Sequence, residues 1–222
     1  MKLYHSARSS ASYRVRIALA HKGIPYESRL LNMQAMQHAT PEYRSVNPVA
    51  LVPALDVGGQ VLGQSLAIIE YLEEIHPEPR LLPAEALDRA YVRAFSQLIA
   101  CEIHPLNNLR TLNYVRKSYR QNEEGINTWY RNWIADGFGM LELFFTREKR
   151  HGRYCNGNEI SMADCCLVPQ VANAQRYACD LAPYPTVMRI HDACIELPSF
   201  IQASPENQGE KWWLGAIEGG KK

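Results

Sequence analysis

Three prolines within seven residues, in Pro77-Glu78-Pro79-Arg80-Leu81-Leu82-Pro83, divide this chain into two stretches of different periodicity. Proline has no backbone N–H and a fixed φ, so a segment this rich in it interrupts helices and sheet ladders alike and reads as a stiff, extended connection. Upstream of it, strand-like and helix-like runs alternate. Downstream, strand signals disappear.

The upstream reading begins with a short strand over Lys2 to Ser6. A helix follows over Ser12 to Lys22, with Val15, Ala18, Leu19 and Lys22 at helical spacing and Gly23 as its stop. Tyr26 to Leu31 reads as a second strand and Pro41 to Val46 as a short helix before Asn47-Pro48. Val52 to Val57 and Gln60 to Leu62 flank Gly58-Gly59, a pair suited to a tight hairpin turn. Ser65 reads as the cap of a helix whose Leu66, Ile69 and Leu72 face the sheet and which Pro77 ends. The order is βαβαββα. Beyond the linker, Leu87 to Arg120, Glu123 to Lys149, Ser161 to Tyr177 and Pro185 to Leu197 all read as helical. Ser161-Met162-Ala163-Asp164 reads as a helix start in which serine and acid satisfy orphan backbone donors. The tail from Ser204 is polar and glycine-rich apart from Trp212-Trp213-Leu214, which either docks on the body or moves freely.

Composition narrows the partners. Hydrophobic residues are 46% of the 222, enough for a substantial core. Lysine and arginine total 24 against 23 acidic residues, so bulk charge points neither to nucleic acid nor to an anionic membrane, and anion binding must come from local arginines. The N-terminus lacks the apolar core of a signal peptide and no run approaches the roughly 18 apolar residues of a membrane span. A cytoplasmic protein is expected. The six cysteines, Cys101, Cys155, Cys165, Cys166, Cys179 and Cys194, show no zinc-like or CxxC spacing and read as reduced, partly buried thiols.

Three segments in this order resemble zeta-class glutathione transferases. They are Arg8-Ser9-Ser10-Ala11-Ser12-Tyr13-Arg14-Val15-Arg16-Ile17-Ala18-Leu19; then Asn47-Pro48 with Leu51-Val52-Pro53-Ala54-Leu55; and Gln64-Ser65-Leu66-Ala67-Ile68-Ile69-Glu70-Tyr71-Leu72-Glu73-Glu74. Met162-Ala163-Asp164 and Leu167-Val168-Pro169-Gln170-Val171 extend the likeness nearly to the C-terminus. The resemblance implies an α+β chain: a thioredoxin-like glutathione-binding domain over 1–80, an all-helical substrate-binding domain over 86–210, a cis bond before Pro53, and a homodimer. It also implies glutathione-dependent cis-trans isomerisation of maleylacetoacetate or maleylpyruvate in aromatic catabolism, with no metal or redox cofactor. A general transferase conjugating electrophiles such as haloacids, and a binding-only relative of the fold, are the alternatives.

The matched residues suit this chemistry. Gln64 and Ser65, at a helix start, would hold the γ-glutamyl carboxylate of glutathione, because free N–H groups and the positive end of the helix dipole converge there. Val52, before Pro53, would pair its backbone with the cysteinyl unit as an added strand pairs with a sheet edge. His38 falls where the resemblance places a contact to the glycyl end, or is a solvated loop histidine. A thiol of pKa about 8.5 is mostly protonated at neutral pH, and lowering it by one to two units takes about 1.4 to 2.8 kcal/mol. Hydroxyls of Ser9, Ser10 and Ser12 at the start of the first helix are the candidate catalytic donors, Ser9 foremost as the match to the family's catalytic serine; otherwise they only cap the helix. Many members carry a cysteine where this chain has Ala11, which removes a protein thiol from the helix start and leaves glutathione's own sulfur to react. A dicarboxylate substrate needs cations, and Arg8, Arg110 and Arg176 are the candidates, each otherwise a surface charge. The resemblance also places glutathione contacts from a partner subunit near His104 and Asn108, although Pro105 interrupts their shared helix face.

Overall fold

The computed structural model describes residues 1–209, so the tryptophan pair at 212–213 lies outside the described residues. The chain begins with β1 (Lys2–His5), α1 (Ser10–His21), β2 (Glu27–Leu30), α2 (Pro41–Val46), β3 (Ala54–Val57), β4 (Gln60–Gly63) and α3 (Ser65–Ile75). The strands form one sheet in the order β2-β1-β3-β4. β1 runs parallel to β2, as a helical crossover through α1 requires, and antiparallel to β3. Gly58 and Gly59 both take positive φ in the β3–β4 turn, where other side chains would be strained. The expected βαβαββα order is met.

Two local expectations need correction. Val52 lies outside β3, which starts only at Ala54, because Pro53 has no N–H to give a ladder; the Val52–Pro53 bond is cis. Ser65 does not cap α3. Gln64 holds the cap position, at φ 65 and ψ 115, and Ser65 is the first helical residue.

The second half is helical throughout its regular elements: α4 (Ala86–Gln97), α5 (Leu109–Ser118), α6 (Glu123–Glu148), α7 (Met162–Arg176), α8 (Pro185–Ile195) and α9 (Pro198–Ala203). The stretch Leu87 to Arg120 is not one helix. A π-helical turn (Leu98–Ile103) and a 3-10 turn (His104–Leu106) intervene, because Pro105 lacks the N–H that α geometry needs and its ring crowds the preceding turn. At the start of α7 the Asp164 carboxylate accepts the N–H and hydroxyl of Ser161, both at 2.8 Å, and the N–H of Cys155 at 2.8 Å. All six cysteines are unpaired thiols, four of them buried. No helix among the described residues is long and apolar enough to cross a membrane.

One continuous apolar core runs through both halves. α1 is its centre, packed against α3 on the sheet side and against α7 and α9 on the other. The proline linker is clamped rather than loose. Lys22 Nζ meets Glu73 at 2.6 Å and donates to the carbonyls of His76 and Pro79, while Glu73 accepts the N–H groups of Leu81 and Leu82. Arg93 adds a bidentate pair to Glu70 across α3 and α4, at 2.9 and 2.8 Å.

Candidate active site

The start of α1 separates the three serines. Successive helix positions turn by about 100°, so adjacent side chains leave in different directions. Ser9 is the N-cap, half-exposed, and its Oγ accepts the N–H of Ser12 at 3.2 Å. With that lone pair occupied, its proton is free to be donated outward. The N–H groups of Ser10 and Ala11 bond to no acceptor among the described residues, as the first turn of a helix leaves them. Ser10 is buried, and its hydroxyl shares a 3.0 Å hydrogen bond with His104 Nδ1 in the helical half. Ser12 is fully buried, and its Oγ takes the N–H of Ser6 at 3.4 Å. A thiol at this helix end therefore meets Ser9 and two open amides, not all three hydroxyls.

The start of α3 presents Ser65, whose buried Oγ accepts from Arg14 Nη1 at 3.2 Å, beside the exposed Gln64. Between the two helix starts lies Val52. Its N–H and C=O bond to no partner among the described residues, while the loop before it is fixed by Tyr43 and Asn47, which both donate to the Leu51 carbonyl, at 2.6 and 2.9 Å. An extended peptide with a carboxylate at one end and a thiol in the middle fits this arrangement: an anion site, a free backbone pair and a set of thiolate donors.

The remaining candidates divide. His38 sits half-buried in the 3-10 turn Gln37–Ala39; its Nδ1 has no protein partner, and burial and then Arg44 lower its pKa. His104 is held neutral, its pKa lowered to about 3 by burial and by the nearby Arg14. Asn108 is the N-cap of α5, accepting the Thr111 N–H at 2.9 Å, so it shares no helix face with His104. Arg8 and Arg176 line one cavity of about 600 Å³ together with Tyr13, Gln175, His191 and Glu206. Arg176 opens to its mouth, yet desolvation there and the neighbouring Arg8 lower its pKa. Arg110 is exposed on the first turn of α5 and is not part of that cavity's lining, so this chain does not bring it to the other two arginines.

Residues 3–80 match the family described as "Glutathione S-transferase, N-terminal domain". A maleylpyruvate isomerase of Ralstonia sp. is 47% identical over 208 residues, spanning 94% of this chain and 98% of that protein. The chain belongs to the glutathione S-transferase family. The maleylacetoacetate isomerase of Rattus norvegicus is equally similar to this transferase, at 47% over 208 residues and 93% of each chain. The holo structure of a maleylpyruvate isomerase, a bacterial zeta-class transferase, superposes with a TM-score of 0.92 at 46% identity, covering 95% of this chain and 99% of that one. The thioredoxin-like N-terminal half followed by the helical half is thus the family's architecture.

Several residues of the candidate site were not singled out in the sequence: Arg14 reaches Ser65 from inside the protein, and Tyr13, Gln175, His191 and Glu206 line the cavity beside the two arginines. Gln175 could have been found one residue before Arg176; nothing in the pattern marks Arg14 or Glu206.

Proposed function

We propose that this transferase is a glutathione-dependent cis-trans isomerase of maleylacetoacetate or maleylpyruvate, working in the breakdown of aromatic compounds. The observation that carries the reading is the cavity holding Arg8 and Arg176 directly beside the α1 start, where Ser9 and two open amides await an anion. Bound glutathione supplies a thiolate that adds to the conjugated cis double bond, allows rotation about the resulting single bond, and is eliminated to leave the trans product.

The protein's part is binding, orientation and charge. Ser65, Gln64 and the α3 N-terminus receive the γ-glutamyl carboxylate. Val52 pairs with the cysteinyl backbone, and His38 lies toward the glycyl end. The Ser9 hydroxyl and the amides of Ser10 and Ala11 stabilise the thiolate. Arg8 and Arg176 grip the two carboxylates of the substrate, a task for which the planar guanidinium is suited. Ser10 contributes by tying α1 to His104. Residues 1–80 form the glutathione-binding domain and 86–210 the substrate-binding domain. The working molecule is a cytoplasmic homodimer with the partner near Asn108, while His104 is turned inward to Ser10 of its own chain. Sedimentation velocity tests the dimer: a single species of twice the chain mass is expected, and a monomer at micromolar concentration would refute it.

Absorbance titration of bound glutathione tests the site. The thiol should titrate one to two units below the usual value of about 8.5 in the native protein and close to it in Ser9→Ala. An unshifted thiol in the native protein would remove Ser9 from the mechanism. A conjugating transferase acting on haloacids is the second reading, and it predicts that Arg176→Ala leaves turnover of such electrophiles intact.

A further inference from the structure

Arg14 is a fully buried arginine without an ionic partner. It is 1% exposed, in the middle of α1, and no salt bridge reaches it among the described residues. Its one hydrogen bond is from Nη1 to Ser65 Oγ, at 3.2 Å; no protein group accepts from Nε or Nη2. Its near charged or ionisable neighbours are His104, which is neutral, and the thiols of Cys101 and Cys166. Buried guanidinium groups are ordinarily matched by a carboxylate, because an unmatched charge in the interior is strongly unfavourable. The contrast with Arg16, two positions on, is direct: Arg16 is equally buried, yet Nε, Nη1 and Nη2 each donate to a backbone carbonyl.

We propose that Arg14 is a positioning residue for the γ-glutamyl carboxylate of glutathione, acting through Ser65 from the protein side of the α3 start. The inference rests on the reading of Ser65 as part of the glutathione site. Two effects follow from the geometry. Because Arg14 donates to Ser65 Oγ, that oxygen is held as an acceptor on its inner side, and its proton is turned outward toward the incoming carboxylate. The guanidinium also supplies a fixed positive charge just beneath the site, in an interior where charge is weakly screened. The carboxylate of the ligand thereby becomes the counter-charge that the fold itself does not provide. Arg14 touches no reacting atom, so its effect belongs to glutathione affinity and not to the chemical step.

The test measures binding of glutathione, and of an analogue with 4-aminobutanoyl in place of the γ-glutamyl group, which keeps the amine and lacks only the α-carboxylate. Both are titrated calorimetrically into the native protein, Arg14→Met and Ser65→Ala, and the melting temperature of each ligand-free protein is recorded. Arg14→Met should weaken glutathione by about tenfold or more, the loss of a charge-assisted contact, and should change analogue binding by less than about twofold. Its ligand-free melting temperature should equal or exceed that of the native protein, because an unmatched buried charge has been replaced by an apolar chain of similar length. Should Arg14→Met not fold, Arg14→Gln, which keeps a donor for Ser65 without the charge, gives the same comparison. Equal weakening of both ligands, or unchanged glutathione affinity beside a large loss from Ser65→Ala, would overturn the role of Arg14 alone. Unchanged glutathione affinity in Ser65→Ala would instead overturn the site reading on which it rests.

Discussion

Replacing Arg16 by leucine should destabilise the protein more than any single change at its surface. Arg16 lies between the sheet and α9, where Nε donates to the Ala203 carbonyl at 2.8 Å, Nη1 to Ser6 at 3.1 Å and Nη2 to Ala7 at 2.9 Å. The substitution removes three bonds and strands the carbonyls of Ala7 and Ala203, while that of Ser6 keeps the Ser9 N–H at 3.2 Å. Each charge-assisted bond contributes about 1.5 to 3 kcal/mol, or about 4.5 to 9 in sum. Against this stands the cost of burying the guanidinium, visible in a pKa lowered to about 10 by desolvation, and leucine recovers part of the apolar burial. The net loss should be about 3 to 5 kcal/mol. Urea denaturation checks it: with a slope of about 2.5 kcal/mol per molar, the midpoint should fall by about 1.2 to 2 M with the slope unchanged. A fall below about 0.3 M would refute the view that these three bonds fasten the β1–α1 loop, and with it Arg8 and Ser9, to the helical half.

Other outcomes follow from the same structure. Arg176→Ala should lower kcat/KM for a maleyl dicarboxylate by about 10- to 100-fold, the worth of one charge-assisted carboxylate contact, and steady-state kinetics would read it. His5 is buried, and desolvation and then Arg16 lower its pKa to about 3. Between about pH 6.5 and 3 the unfolded chain therefore binds a proton that the native one does not. The stability from this residue is present above pH 6.5 and lost on acidification, at about 1.4 kcal/mol per pH unit. Urea midpoints taken at pH 5, 6 and 7 should accordingly vary less steeply in His5→Gln. Glu73→Gln should release the linker, since Lys22 and the amides of Leu81 and Leu82 all converge on that carboxylate; faster limited proteolysis between residues 76 and 84 is the readout.

Much of the architecture was legible because it is written in local rules. The proline linker, Gly58-Gly59 and the helical spacing of Leu66, Ile69 and Leu72 each act within a few residues, and α2 falls where it was expected, at Pro41–Val46. The losses came where a distant group decides. Pro105 was seen as an interruption, but the π turn that absorbs it depends on packing against α6. Ser9, Ser10 and Ser12 look equivalent in sequence; the fold leaves one half-exposed at the helix start, bonds one to His104 and buries one in the core. Nothing in the local pattern marks Arg14 and Arg16 as buried, and only the closure of α7 and α9 over α1 makes them so. A pattern of polar and apolar residues carries no signal for a buried cation whose acceptors come from loops far along the chain.

The central claim is that glutathione held at the α1 start isomerises a maleyl dicarboxylate gripped by Arg8 and Arg176. The most direct test follows turnover of freshly generated maleylpyruvate and maleylacetoacetate, with and without glutathione, by the native protein and by Ser9→Ala. The account predicts turnover of at least one substrate that requires glutathione and falls by about 10²-fold or more in the variant, as loss of a donor to a developing anion does elsewhere. Turnover of neither substrate by the native protein, or turnover indifferent to glutathione, would contradict it.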